Sequence, residues 1–176
     1  PVNSPDDLKG MVLRTPSNSL YTEYFTACGA TATPMNFSEV YNALQLNTLD
    51  GQENPVDVPA TNNFYEVQKY ISGTNHIADA WVVGMNTAKL TGLSQNQQDA
   101  LRKAAEECQQ WYVDYQAEKD GEMLKLLTDN GMEYNEVPED GFQKFVEISQ
   151  GLYPKFKELV ANDELFEATT AFCGKS

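Results

Sequence analysis

The fold class follows from a short stretch near the start of the chain, Gly10-Met11-Val12-Leu13-Arg14-Thr15-Pro16. Its apolar residues predict a β-strand over Met11–Arg14 that stops at Thr15-Pro16, and Thr15 stays extended because the residue before a proline is pushed out of the helical region. Apolar residues at helical spacing then predict a helix up to Gly29, a residue type that suits the position after a helix. A strand followed by an amphipathic helix is the unit from which α/β sheets are built.

The same alternation continues to about residue 85. Extended segments are predicted over 30–35, 52–58 and 76–85. A helix is predicted to begin at Asn36, with Glu39 three residues on as in a capping box, and another to carry Phe64 and to end near Gly73. Because nearly continuous apolar strands between helices are typical of parallel sheets, we expect a parallel or mixed sheet covered on both faces.

The second half of the chain has a different pattern. The capping-box sequence Ser94-Gln95-Asn96-Gln97 predicts the start of a long helix whose apolar stripe continues to Asn130, with Gly131 as the stop. A helix of that length exceeds the diameter of a small domain, so we expect it to brace two lobes. Two helices broken near Gly121 are the alternative. A last strand over 132–137 and further helices before and after Pro154 complete the prediction.

Composition excludes several classes of protein. The chain has 176 residues, 41% hydrophobic and 22% charged, an ordinary balance for a globular protein. Its 26 acidic and 12 basic residues give a net charge of −14, which disfavours binding to nucleic acid or anionic lipid. Its three cysteines (Cys28, Cys108 and Cys173) form no C-x-x-C pair, so we expect no zinc site. Three free thiols, or one disulfide and one free thiol, remain open.

No motif in the sequence predicts catalysis. His76 is the single histidine, and neither a G-x-S-x-G nucleophile motif nor a glycine-rich phosphate loop is present. In its apolar context we expect His76 to be a hydrogen-bonded structural residue. We therefore expect a protein that is not an enzyme and that needs neither a metal ion nor a cofactor.

Three residues are candidates for binding a small molecule. Arg14 ends the first strand, and the carboxyl ends of strands face the ligand crevice in open α/β sheets. A guanidinium there could bind a carboxylate in a bidentate pair, although an exposed or structurally paired arginine is the alternative. Asn54 precedes Pro55, which restricts its backbone, but an asparagine in a turn has the same signature. Phe37 could either wall a pocket or pack on the helix that follows it.

Several ordered motifs, taken together, resemble the DctP-like solute-binding proteins of TRAP (tripartite ATP-independent periplasmic) transporters. The resemblance covers essentially the whole chain and is most specific from Pro34 to Tyr70. The runs that carry it are Asp7-Leu8-Lys9-Gly10, Leu13-Arg14-Thr15-Pro16, Thr33-Pro34-Met35-Asn36-Phe37-Ser38-Glu39-Val40-Tyr41, Leu49-Asp50-Gly51-Gln52-Glu53-Asn54-Pro55, Phe64-Tyr65-Glu66-Val67-Gln68-Lys69-Tyr70 and Thr74-Asn75-His76.

The resemblance implies two α/β lobes that close over a small organic acid in the periplasm and hand it to a membrane permease. It implies that Arg14 pairs with the ligand carboxylate, that Asn54 assists, and that Phe37 lines the cleft. It also places His76 and Trp81 near the ligand or the hinge. A ligand-sensing protein that presents an organic acid to a membrane receptor is the alternative function.

The resemblance also implies a division of the chain. Residues 1–79 correspond to the second lobe, residues 80–119 to a crossing strand and the first part of the long helix in the first lobe, and residues 120–176 to the return into the second lobe. Most of the N-terminal lobe, a partner of this part, would lie outside the sequence. We therefore expect uncovered apolar surface on the long helix, and association or reduced stability of the isolated chain.

Overall fold

A computed structural model describes residues 1–77 and 82–173, and it confirms the predicted α/β class. The described part of the chain contains five β-strands, all paired in parallel, and eight α-helices. The strands are β1 (Val12–Thr15), β2 (Thr31–Pro34), β3 (Gly51–Gln52), β4 (Tyr70–Gly73) and β5 (Glu133–Glu136). The helices are α1 (Ser19–Ala27), α2 (Phe37–Gln45), α3 (Asp57–Thr61), α4 (Thr87–Thr91), α5 (Gln95–Asp129), α6 (Glu139–Gly151), α7 (Tyr153–Val160) and α8 (Asp163–Cys173).

The strands form two parallel sheets. In the first, β1 lies between β2 and β3, so the strand order is β2-β1-β3. In the second, β4 pairs with β5, and Tyr70 lies opposite Glu133. Since parallel strands need crossover connections, helices lie between β1, β2 and β3 in the sequence. The carboxyl ends of β1, β2 and β3 therefore meet at one edge of the first sheet.

The central strand β1 is covered on both faces, as the sequence predicts. Successive side chains of a strand point to opposite faces, and Val12 and Leu13 belong to different cores. Leu13 is buried with Phe25 of α1 and Phe145 of α6. Val12 packs against the core around Val40 of α2. Two apolar layers thus hold the strand that carries Arg14.

The segment from 52 to 73 differs from the prediction. The extended run over 52–58 is confirmed only at its start, because β3 ends at Gln52 and α3 begins at Asp57. The helix predicted to carry Phe64 and end near Gly73 is wrong. Residues Phe64–Glu66 form a 3-10 turn, and the residues that follow become strand β4 because they pair with β5, 60 residues away in the sequence.

Two further predictions are corrected. The described residues of the expected strand over 76–85 have no regular structure, and Val82 and Val83 are 90% and 94% exposed. The single helix expected after Pro154 is two helices, because Ala161 adopts a left-handed conformation between α7 and α8. Helix α2 begins after Asn36 as predicted, although the Asn36 side chain makes no capping hydrogen bond.

The long helix is confirmed as one unbroken element. α5 runs for 35 residues, opens on the Ser94–Gln97 capping box and continues through Gly121. Its C-terminal part packs on α3 through Leu127, which is fully buried. Gly131 then adopts a positive φ of 95°, which ends the helix. No helix among residues 1–77 and 82–173 has the length and apolarity that a membrane span requires.

The cysteines whose side chains are described are free thiols. Cys28 is buried in the core beside Phe25, and Cys108 is exposed on α5. Burial raises the pKa of the Cys28 thiol to about 11, so it is protonated at neutral pH and is a poor nucleophile. The side chain of Cys173 lies outside the described part.

We expect Gly141→Ala to destabilise the protein, because α6 packs tightly against the N-terminal segment. A Cβ atom at Gly141 would overlap the backbone carbonyl oxygen of Asn3. That segment is also held by the Asn135 side chain, whose Nδ2 donates to the Val2 carbonyl oxygen at 3.0 Å. Overpacking of this kind costs about 1–3 kcal/mol in free energy of unfolding, which urea denaturation measures.

Gly121→Ala is the matched control. Gly121 also lies in a helix, but a Cβ atom there would meet no atom within 4 Å. Alanine is favoured over glycine in a helix interior by about 1 kcal/mol, so this variant should be as stable as the unaltered chain or more stable. Equal free energies of unfolding for the two variants would contradict the proposed packing of α6.

Candidate functional site

The first three strands place the candidate residues at one edge of the first sheet. In the parallel register Arg14 of β1 lies between Thr33 of β2 and Gln52 of β3. Phe37 follows the end of β2, and Asn54 follows the end of β3. Because these chain segments leave the sheet at its carboxyl edge, three candidates that are far apart in the sequence share one region of the fold.

Arg14 is held at this edge by the backbone of the neighbouring strand connection. The residue is 5% exposed, and its Nε and Nη2 donate to the carbonyl oxygen of Met35 at 3.0 and 2.9 Å. The centre of the guanidinium lies 5.8 Å from the centroid of the Phe37 ring. Burial lowers the pKa of Arg14, and the negative charge of Glu53 opposes that shift.

The geometry excludes one alternative for Arg14, an exposed side chain, and shows the backbone of Met35 as its structural partner. The side chain is not exposed, and none of its nitrogens lies within 4.0 Å of a carboxylate in the described residues. Its partner is an uncharged carbonyl, so the positive charge is not neutralised by direct pairing. The Met35 carbonyl oxygen accepts from Nε and Nη2, and Nη1 donates to no atom of the described residues.

Asn54 belongs to a series of side-chain amides. Its Nδ2 donates to Oε1 of Gln52 at 2.5 Å, and Nε2 of Gln52 donates to Oε1 of Gln68 at 3.3 Å. We call these three residues the amide series. The other N–H and the side-chain carbonyl oxygen of Asn54 make no hydrogen bond to the described residues.

His76 lies beside Glu53 rather than on a strand. Its Nε2 is 3.4 Å from Oε2 of Glu53, and its Nδ1 is 2.7 Å from Oγ1 of Thr74. Since a carboxylate only accepts hydrogen bonds, Nε2 carries the proton that faces Glu53. The imidazole also stacks on Tyr24 at 6.2 Å and meets the edge of Phe25 at 5.2 Å, between ring centroids. His76 is therefore hydrogen-bonded, as expected from the sequence, although it does not lie on a strand.

Two cavities meet at these residues. Their volumes are about 400 Å³ and 500 Å³, and Glu53, Asn54 and His76 line both. The smaller one also touches Gln52 and Gln68, and the larger one extends to α5. Neither is lined by Arg14 or by Phe37, which is 41% exposed. The structure thus brings Asn54 and His76 together, with Arg14 and Phe37 on the adjoining sheet edge.

Sequence reasoning missed the residues that connect these candidates. Glu53 links His76 to the region of Arg14, and Gln52 and Gln68 orient Asn54. Gln52 and Glu53 come just before Asn54 in the sequence, which is the available signal, but their partners lie 16 and 23 residues away, respectively. Trp81 lies outside the described residues. Among those that are described, no group of three or more potential ligands is placed to hold a metal ion.

The chain matches one family of known proteins over most of its length. Residues 1–159 fit the sequence model of the DctP family, the bacterial extracellular solute-binding proteins of family 7. The chain is 35% identical over 156 residues to the sialic acid-binding periplasmic protein SiaP of Vibrio cholerae. It is 37% identical over 133 residues to the 2,3-diketo-L-gulonate-binding periplasmic protein YiaO of Escherichia coli.

These alignments cover 89% and 76% of the chain, but only 48% and 40% of the two relatives. The chain therefore spans about half the length of the curated relatives it matches.

A solved structure shows the same fold. The periplasmic solute-binding protein of a TRAP transporter from Chromohalobacter salexigens, with bound D-glucuronate, superposes with a TM-score of 0.82 at 29% identity. The superposition covers 94% of the chain and 55% of that protein. The α/β fold is thus that of part of a TRAP periplasmic binding protein. Since the family match extends over residues 1–159 of 176, the chain belongs to the DctP family of solute-binding proteins.

Proposed function

We propose that the chain is the ligand-binding C-terminal portion of a periplasmic protein that binds a small organic acid and delivers it to a TRAP permease. The observation that carries the proposal is the buried Arg14 guanidinium, which has no carboxylate partner in the described residues. Relatives that bind sialic acid, 2,3-diketo-L-gulonate and D-glucuronate support an acidic ligand. The proposal is of a binding protein, not of an enzyme.

In this proposal Arg14 binds the ligand carboxylate through the Nη1–Nη2 edge. Met35 fixes the guanidinium through two hydrogen bonds to its carbonyl oxygen, so the group is oriented before the ligand arrives. Preorganisation reduces the entropy lost on binding. Because the side chain is buried, the charge pair would form in a medium of low dielectric constant, where it is stronger than in water. A net charge of −14 at the distant surface is screened by salt.

The other candidates surround this contact in the proposal. The free N–H of Asn54 donates to the ligand, and the ring of Phe37 packs against its apolar part beside the guanidinium. His76, which is paired with Glu53, lines the same two cavities as Asn54. For Trp81 we retain a position near the ligand or the hinge as a proposal.

We also propose that residues 80–119 belong to the first lobe, with 1–79 and 120–176 in the second. Support comes from the exposure of apolar side chains in the first part of α5. Trp111, Tyr112 and Val113 are 58%, 44% and 59% exposed although they are consecutive and so point to different sides of the helix. A cluster of large exposed apolar side chains is typical of a surface that another part of a protein covers, which favours an N-terminal lobe as its cover.

Arg14→Ala should reduce the affinity for a carboxylate ligand by at least about 100-fold, because a charge-assisted bidentate pair is lost. Arg14→Lys should also bind much more weakly, since an ammonium cannot reproduce the planar fork. Titration calorimetry of the protein that includes the N-terminal lobe, with sialic acid, 2,3-diketo-L-gulonate and D-glucuronate as probes, measures both.

Arg102→Ala is the control for the loss of a positive charge. Arg102 lies on α5, and its closest carboxylate contact, to Asp99, is 3.8 Å long and exposed. Its removal should leave the affinity unchanged. Unchanged affinity in Arg14→Ala would refute the proposed role, and failure of the unaltered protein to bind any acid in a thermal-shift screen would refute the proposed function.

The isolated chain should self-associate, because the apolar side chains of α5 between 101 and 115 are exposed. Analytical ultracentrifugation should show species larger than a monomer, and the double variant Trp111→Ser/Val113→Ser should be more monomeric. Replacing the exposed polar pair Gln109→Ser/Gln110→Ser on the same helix is the control. A monomeric chain with a cooperative thermal transition would contradict the assignment of residues 80–119.

A further inference from the structure

We propose that Gln52 and Gln68 are positioning residues of the ligand site, which act by fixing the direction of the Asn54 carboxamide. The inference rests on the proposed function, because it assumes that Asn54 binds the organic acid. Gln68 donates no hydrogen bond to Asn54 itself; it acts through Gln52, which lies between them.

The first member of the amide series is Gln68, whose backbone is hydrogen-bonded to a core residue. The backbone N–H of Gln68 donates to the carbonyl oxygen of Phe64 at 2.8 Å, which ties Gln68 to the 3-10 turn. Phe64 is 2% exposed and belongs to the core with Val40 and Leu44. The backbone of Gln68 is therefore held next to a residue of the core.

The middle member is fixed by the sheet. Gln52 is the last residue of β3, and its backbone lies opposite Arg14 in the parallel register. Its side chain has a nearly symmetric amide whose two orientations differ only by the exchange of oxygen and nitrogen. The acceptor oxygen of Gln68 selects the orientation in which Nε2 of Gln52 points to Gln68 and Oε1 points to Asn54.

The orientation of the Asn54 carboxamide is fixed in the same way, by a hydrogen bond to its neighbour in the series. Its terminal torsion is soft, so without a partner the carboxamide could turn its oxygen or its nitrogen toward the ligand. Pro55 restricts the backbone of Asn54 but not this torsion. Oε1 of Gln52 accepts a hydrogen bond from Nδ2 of Asn54 and so fixes the carboxamide of Asn54. The second N–H of Nδ2 then points in one defined direction. Reversal requires all three amides to turn together.

This direction matters for the class of ligand. A carboxylate only accepts hydrogen bonds, so it gains from the N–H of Asn54 and is repelled by an amide oxygen in the same place. The amide series therefore supports binding of an anion over that of a hydrogen-bond donor. Gln52 and Gln68 line the cavity of about 400 Å³ with Asn54, so all three belong to one wall.

A double-mutant cycle between Gln68→Leu and Asn54→Ala tests the inference. With D-glucuronate as the probe in titration calorimetry, Gln68→Leu should weaken binding about three- to tenfold, the size expected for one hydrogen bond. In the Asn54→Ala background the same change should have an effect of less than about twofold, because Gln68 has nothing left to orient. A purely structural role would give equal effects in the two backgrounds and would overturn the inference.

Gln143→Leu is the control for replacing a glutamine by a leucine, since Gln143 is exposed on α6. Its affinity should equal that of the unaltered protein.

If Gln68→Leu fails to fold, Gln68→Asn replaces it, because the shorter amide keeps the polarity but cannot reach Gln52. The result that separates the two proposals is a protein that loses binding in Arg14→Ala but shows additive effects in the cycle. That result would support the proposed function and refute the positioning role of Gln52 and Gln68.

A measurement without ligand gives a second readout. The two side-chain N–H signals of Asn54 in a ¹H–¹⁵N NMR spectrum should move in Gln68→Leu and stay in place in Gln143→Leu. If the Asn54 signals did not respond to Gln68→Leu, the proposed coupling between Gln68 and Asn54 would be refuted. This test holds even if no acid binds to the protein.

Discussion

The parallel pairing of β1 with β2 and β3 is the constraint on which the rest of the structure depends. It places Arg14 between Thr33 and Gln52, and it brings the ends of three strands to one edge. The same pairing sets the backbone of Met35 where its carbonyl oxygen accepts two hydrogen bonds from the guanidinium. A buried cation thus stays oriented without a carboxylate partner in the described residues, which is the condition for binding an external anion.

Burial and hydrogen bonding divide the site into two parts. On one side Arg14 and Phe37 lie at the sheet edge, in the 5.8 Å arrangement of a cation over an aromatic ring. On the other side Asn54 and His76 line two cavities, each held by a neighbour in the Gln52–Glu53 segment. Gln52 and Glu53 therefore support the second part, because Gln52 holds Asn54 and Glu53 holds His76.

Local signals predicted the elements whose formation depends on few distant contacts. The strand before Pro16, the helix stop at Gly131 and the capping box at Ser94 all follow from the chemistry of neighbouring residues, and the structure has all three. The helix expected up to Gly73 was wrong for the opposite reason. Those residues become β4 by pairing with β5, which only the folded chain brings next to them.

The α/β class, the family and the candidate residues Arg14, Phe37, Asn54 and His76 could be predicted from the amino-acid sequence, because strand ends, helix caps and motif order are local properties. The partners of these side chains could not, because they depend on how the chain folds. Met35, Glu53 and Gln68 become partners of Arg14, His76 and Gln52 through contacts that span 16 to 23 residues. Their hydrogen-bond geometry depends on how the strands and the core pack, and no local pattern encodes that.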